Sequence, residues 1–96
     1  MNIEALLKEK REAIIRIAAK YGAQNVRVFG SVVRGEANEN SDVDFLVQFS
    51  PGVTLLNHAA LVRELEALLG GRVDVVSERA LKPRIREKIL KEAVPL

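Results

Sequence analysis

Residues 42–49, DVDFLVQF, set Asp42 and Asp44 in alternate positions of an otherwise apolar run. That alternation is the period of a β-strand, whose successive side chains point to opposite faces. Val43, Phe45, Val47 and Phe49 then share one face, and Asp42, Asp44, Leu46 and Gln48 share the other. The first set can line a core. The second cannot, because a buried carboxylate without a partner costs several kcal/mol. The chain must therefore build a sheet covered on one side, with its acidic side turned to something else.

The flanking segments supply the cover. Ile3, Leu6, Leu7, Ile14, Ile17, Ala18 and Tyr21 recur at helical spacing and predict one amphipathic helix ended by Gly22. Residues 26–29 alternate as a strand and stop at Gly30-Ser31; residues 31–36 can open a short helix, and residues 37–41 form a polar loop. After the break at Ser50-Pro51-Gly52, Thr54 caps a second long helix. Its apolar side is Leu55, Ala59, Val62, Leu65 and Leu69, and Gly70-Gly71 stops it. Residues 73–76 read as a third strand. A last helix starts near Leu81 with Pro83 in its first turn, and Ile85, Ile89, Leu90 and Ala93 form its stripe.

The order is α-β-(short α)-β-α-β-α, a layered α/β (α+β) chain read as one domain over residues 1–96. A full helix separates the strands of Asp42 and Asp74, which makes them parallel neighbours. The direction of the first strand relative to the second stays open.

Composition removes several classes. The chain has no cysteine, so neither a disulfide nor a thiolate is available. No apolar run approaches the roughly 20 residues that span a bilayer, and the first residues lack the apolar segment of a signal peptide, so the cytoplasm is the expected compartment. The net charge is only +2, and the aromatics are three Phe and one Tyr. That is a poor basis for a nucleic-acid surface, which interleaves a basic stripe with aromatics. Lys82, Arg84, Arg86 and Lys88 read as a solvated helix face, with a basic contact to a partner or a phosphate as the alternative. His58 has no second histidine or cysteine to join it on a metal, so it reads as structural.

Asp42 and Asp44 should have Cα atoms about 6.6 Å apart, and Asp74 on a neighbouring strand about 4.8 Å away can converge with them. Three carboxylates on one patch cannot all stay ionised without a cation. Hard oxygen ligands suit Mg²⁺, one ion or two. Gly30-Ser31, at a strand end before a helix, offers backbone N–H groups and a hydroxyl to an anion. Alone, each part has a plainer reading: a capped turn, solvated acids, an edge-strand charge. Together they are apparatus for phosphoryl or nucleotidyl transfer, which needs no cysteine or histidine nucleophile.

Gly30-Ser31, ten residues, then Asp42-Val43-Asp44 resembles the G-S-x10-D-x-D signature of the DNA polymerase beta-like nucleotidyltransferase superfamily. Within it, VFGSVVRGEANENSDVDFLV is similar to the minimal nucleotidyltransferases (MNT), and the likeness extends over almost the whole chain. It implies the nucleotidyltransferase fold, a small mixed three-stranded sheet with helices packed on one face. It implies that Asp42 and Asp44 are paired metal ligands, and that Asp74 is the third carboxylate, helping to activate the attacking hydroxyl. Gly30 and Ser31 would hold the triphosphate. Arg34 falls where the family often has an arginine, and either touches phosphate or pairs with a nearby acid. Val33 replaces the family's usual alanine.

The resemblance further implies ATP as donor, Mg²⁺ as cofactor and a HEPN-domain toxin as partner, whose tyrosine hydroxyl would receive AMP from this antitoxin. The alternative is an antitoxin or regulatory module that neutralises its partner by complex formation without catalysis. A nucleotide-dependent DNA-binding component is a weaker third. Apolar helix stripes near both ends are compatible with a homo- or hetero-oligomer.

Overall fold

The computed structural model describes residues 3–38 and 40–96. Four helices, α1 (Ile3–Glu9), α2 (Arg11–Lys20), α3 (Leu55–Leu69) and α4 (Pro83–Glu92), accompany four strands. These are β1 (Ala23–Phe29), β2 (Val43–Phe49), β3 (Val73–Ser77) and β4 (Val94–Pro95). The sheet is mixed, in the order β3-β2-β1-β4. β2 and β3 run parallel, as the intervening helix requires, while β1 is antiparallel to both β2 and β4.

The core follows the alternation of β2. Val43, Phe45 and Val47 are buried together with Val28, Val73 and Val75 from the other strands. Leu7, Ile14, Ala18, Leu61 and Leu65 cover them from α1, α2 and α3. Leu46, on the opposite side of β2, is also fully buried but lies outside that cluster. On its side, Glu78 follows β3 and reaches back over the sheet to Arg27 and Gln48.

Four local expectations need correction. The first predicted helix is two, parted at Lys10, where φ −96° and ψ 7° depart from helical values. No proline or glycine marks the break; the bonds from Lys10 N–H to Leu6 and from Ile14 N–H to Lys10 continue across it. The short helix expected over residues 31–36 is a single 3-10 turn, Gly30–Val32, followed by turns. In α3 Leu65 of the expected stripe is buried and Val62 and Leu69 pack on the core, but Leu61 joins them, whereas Leu55 is 87% exposed and Ala59 is exposed. The capping box at Thr54 and Asn57 and the left-handed Gly70 do bound the helix as expected. Finally, the sheet has a fourth strand. Val94 pairs with Val28, and Leu96 N–H donates to Val26. Two residues are too short for period two to register.

Of the predicted polar loop over residues 37–41, Glu39 lies outside the described residues. Ser41 and Asn38 hold each other through two hydrogen bonds. Among the described residues no helix is long and apolar enough to cross a membrane.

Candidate active site

Asp44 stands directly opposite Asp74 on β3 and opposite Phe29 on β1. It is half-buried, while Asp74 is exposed. Burial first, and then the charges of Asp74 and Asp42, push the Asp44 carboxyl above the usual carboxylate range; Arg34 offsets this only in part. The charged form of Asp44 is thus held at a cost, and a cation would relieve it.

Gly30 ends β1 beside Asp44. Its φ is +80°, and a Cβ there would collide with Asp44 Oδ2. Glycine is needed twice over, for the left-handed backbone and for room at the carboxylate. Its carbonyl accepts from Arg34 N–H at 3.1 Å, closing the turn. Ser31 is half-buried, and its carbonyl accepts from Glu36 N–H at 2.9 Å. Val32 then drops into the core at 5% exposure, which fastens the turn to the sheet.

Asp42 precedes β2 and is turned elsewhere. Its carboxylate meets Arg72 Nε at 3.0 Å, with the side chains 48% and 72% exposed. Among the described residues no group of three His, Cys, Asp or Glu side chains is gathered to hold one ion in common. The backbone nevertheless sets Asp42, Asp44 and Asp74 at one end of two adjacent strands. An exposed pair such as Asp42–Arg72 is worth only about 0–1 kcal/mol and does not lock the carboxylate in place. The donor set, all hard oxygen, fits Mg²⁺.

A family profile described as nucleotidyltransferase domain matches residues 8–96. The chain belongs to the nucleotidyltransferase domain family. The protein adenylyltransferase MntA of Thermococcus cleftensis is 44% identical over 93 residues, spanning 97% of this chain and 91% of the relative. A solved structure of a minimal nucleotidyltransferase is 58% identical, with a TM-score of 0.89, and covers 100% of this chain and 97% of that one. The fold also matches the complex of a tri-AMPylated Shewanella oneidensis HEPN toxin with its MNT antitoxin. There the TM-score is 0.70 at 18% identity, covering 92% of this chain and 69% of that one.

The rest of this nucleotidyltransferase domain sorts the remaining candidates. Arg34 pairs with acids: Glu92 at 2.7 Å through Nη1 and Glu36 at 3.0 Å through Nε. Val33 is only partly buried against the core, so the exchange for alanine is absorbed at its edge. His58 is structural: its Nε2 lies 2.7 Å from the Val75 carbonyl and its ring centroid 5.1 Å from that of Phe49. Two site neighbours had no signature in the sequence. Arg72 meets Asp42, and Glu92 accepts from Gly30 N–H at 3.2 Å. Glu92 is the second of two acids in a largely basic helix and closes it, and only the return of β4 beside β1 brings it to the turn.

Proposed function

We propose that this chain is an Mg²⁺-dependent adenylyltransferase that moves AMP from ATP to a tyrosine hydroxyl of a HEPN-domain partner and thereby serves as its antitoxin. The observation that carries this reading is the in-register Asp44–Asp74 pair with the Gly30 turn set against Asp44. The adenylyltransferase relative and the AMPylated HEPN complex support the choice of donor and acceptor.

In this reading Asp42, Asp44 and Asp74 are the residues that would hold the metal. Bound Mg²⁺ would neutralise phosphate charge and stabilise the departing pyrophosphate. Gly30 N–H, the Ser31 hydroxyl and Arg34 bind the triphosphate and orient its α-phosphorus. Asp74, exposed at the sheet edge, takes the proton of the incoming hydroxyl. The hydroxyl oxygen bonds to the α-phosphorus. The bond from that phosphorus to the bridging oxygen breaks, and its electron pair leaves with pyrophosphate. Positioning and charge do the rest. The ATP is cytoplasmic.

Incubation with α-labelled ATP, Mg²⁺ and the HEPN partner should label the partner. Label transfer that persists in the Asp42→Asn, Asp44→Asn double variant would falsify the reading. A second reading, neutralisation by binding alone, is favoured by the Asp42–Arg72 pair, which engages one of the three acids elsewhere. It requires the double variant to neutralise the toxin as well as the parent chain does.

A further inference from the structure

The turn proposed to receive phosphate already has an anion on it. Glu92 closes α4, and its two carboxylate oxygens are split between the two donors of interest. Gly30 N–H donates to Oε2 at 3.2 Å, and Arg34 Nη1 donates to Oε1 at 2.7 Å. The side chain is only 16% exposed, against 48% for Arg34. Carboxylates and phosphates recruit the same backbone N–H and guanidinium donors. No residue of α4 is fully buried; Ile89, Leu90 and Glu92 are half-buried, and of these Glu92 is the one that meets the turn through hydrogen bonds.

We propose that Glu92 is a built-in competitor for the nucleotide's phosphate, occupying the Gly30–Arg34 cradle until the triphosphate displaces it. This rests on the reading of Gly30, Ser31 and Arg34 as the phosphate cradle. Displacement needs no unfolding, because rotation of the Glu92 side chain suffices while Val94 stays paired with Val28. Arg34 then exchanges a carboxylate for a phosphate and keeps Glu36, 3.0 Å from its Nε. Such a device sets a threshold: a cradle filled by Glu92 about nine-tenths of the time lowers apparent nucleotide affinity about tenfold. Ligand-free protein, meanwhile, does not leave Arg34 and a backbone N–H open to stray anions.

The opposite role is equally concrete. A Glu92 that merely orients Arg34 for phosphate would strengthen binding, and its removal would weaken it. Calorimetric titration of Mg²⁺-ATP into the parent chain, Glu92→Gln and Glu36→Gln separates the two. Competition predicts binding about tenfold tighter in Glu92→Gln and changed by about twofold or less in Glu36→Gln. Unchanged or weaker binding in Glu92→Gln overturns the proposal. So does an equal gain in Glu36→Gln, which would reduce the effect to general charge. Inorganic triphosphate, titrated in the same way, should show the same gain, since the competition is for phosphate alone. Should Glu92→Gln fail to fold, Glu92→Asp shortens the reach, keeps the charge and carries the same expectation. A separate control isolates the underlying reading: if Ser31→Ala and Arg34→Ala leave Mg²⁺-ATP binding unaltered, the cradle itself is wrong and the competitor falls with it.

Discussion

Asp44 and Asp74 stand opposite each other across the parallel β2–β3 pair, two carboxylates in register. Strands this close hold like charges near each other, and half-burial of Asp44 adds to the cost of its charge. Asp44→Asn should therefore raise the melting temperature in metal-free buffer, by about 4–8 °C for each kcal/mol relieved in a chain this size. Mg²⁺ should raise the melting temperature of the parent chain, because a ligand bound only to the folded state stabilises it. The same titration should do much less for Asp44→Asn. Thermal melts with and without Mg²⁺ check both halves. Equal Mg²⁺ responses in the two chains would remove Asp44 from the metal site.

Gly30 gives the sharpest structural prediction. Its φ of +80° and the proximity of Asp44 Oδ2 both oppose a Cβ. Gly30→Ala should cost about 1–3 kcal/mol in denaturant unfolding. Part of that should return in Gly30→Ala combined with Asp44→Ala, which removes the opposing carboxylate, leaving about 1 kcal/mol for the backbone. A penalty of the same size in both backgrounds would mean that the collision contributes nothing.

Period two exposed β2 in the sequence because Val43, Phe45 and Val47 go to the core while Asp42 and Asp44 do not. The parallel placement of Asp74 followed from the length of α3. What stayed hidden depends on contacts between distant residues. β4 is two residues of edge strand, Val94 and Pro95, and its pairing to β1 is not a property of its own composition. Glu92 is invisible for the same reason, since it lies 62 residues from the turn it meets. Arg72 is a single charge before a strand, and only its contact with Asp42, thirty positions earlier, ties it to the site. The expected stripe of α3 agrees with the structure at Val62, Leu65 and Leu69 but fails at its start, where Leu55 and Leu56 are apolar without being buried, and it omits Leu61; helical spacing identifies a stripe but not which sheet residues wait beneath it.

Glu78 supports a pH prediction. It accepts from Gln48 Nε2 at 2.7 Å and pairs with Arg27 Nη1 at 3.0 Å, with the two charged side chains 17% and 12% exposed. The Gln48 hydrogen bond and then that of Arg27 hold the Glu78 carboxyl below the usual glutamate range. A carboxylate more acidic in the folded state stabilises the fold fully above its unfolded value, about pH 4.3, and loses that contribution as pH falls through the lower folded value. Glu78→Gln should be less stable than the parent chain by about 1–3 kcal/mol at neutral pH, since it leaves a largely buried guanidinium without its counter-charge. Among the described residues Arg27 Nη2 lacks a partner, and Nε donates to the neutral Asn25 carbonyl at 3.1 Å, which supplies no counter-charge. Urea unfolding from pH 7 down to pH 3 should show the gap narrowing toward acid. A gap constant across that range would mean the ion pair carries no stability.

The orientation of α3 can be tested by a pair of truncations that helical spacing alone would rank wrongly. Leu55 belongs to the apolar stripe that the sequence suggests, yet it is 87% exposed, whereas Leu61 is 0% exposed within the main core. Leu61→Ala should remove about 2–5 kcal/mol, the lost transfer energy plus the cavity left among Phe45, Leu65 and their neighbours. Leu55→Ala should stay within about 0.5 kcal/mol of the parent chain, because an exposed side chain has little contact to lose. Nor should it disturb the helix start, where Thr54 and Asn57 satisfy each other's backbone groups without it. Parallel urea titrations decide the matter. A Leu55→Ala cost of core size would mean that the first turn of α3 is covered in solution, and a small Leu61→Ala cost would mean that the helix is rotated from the arrangement described.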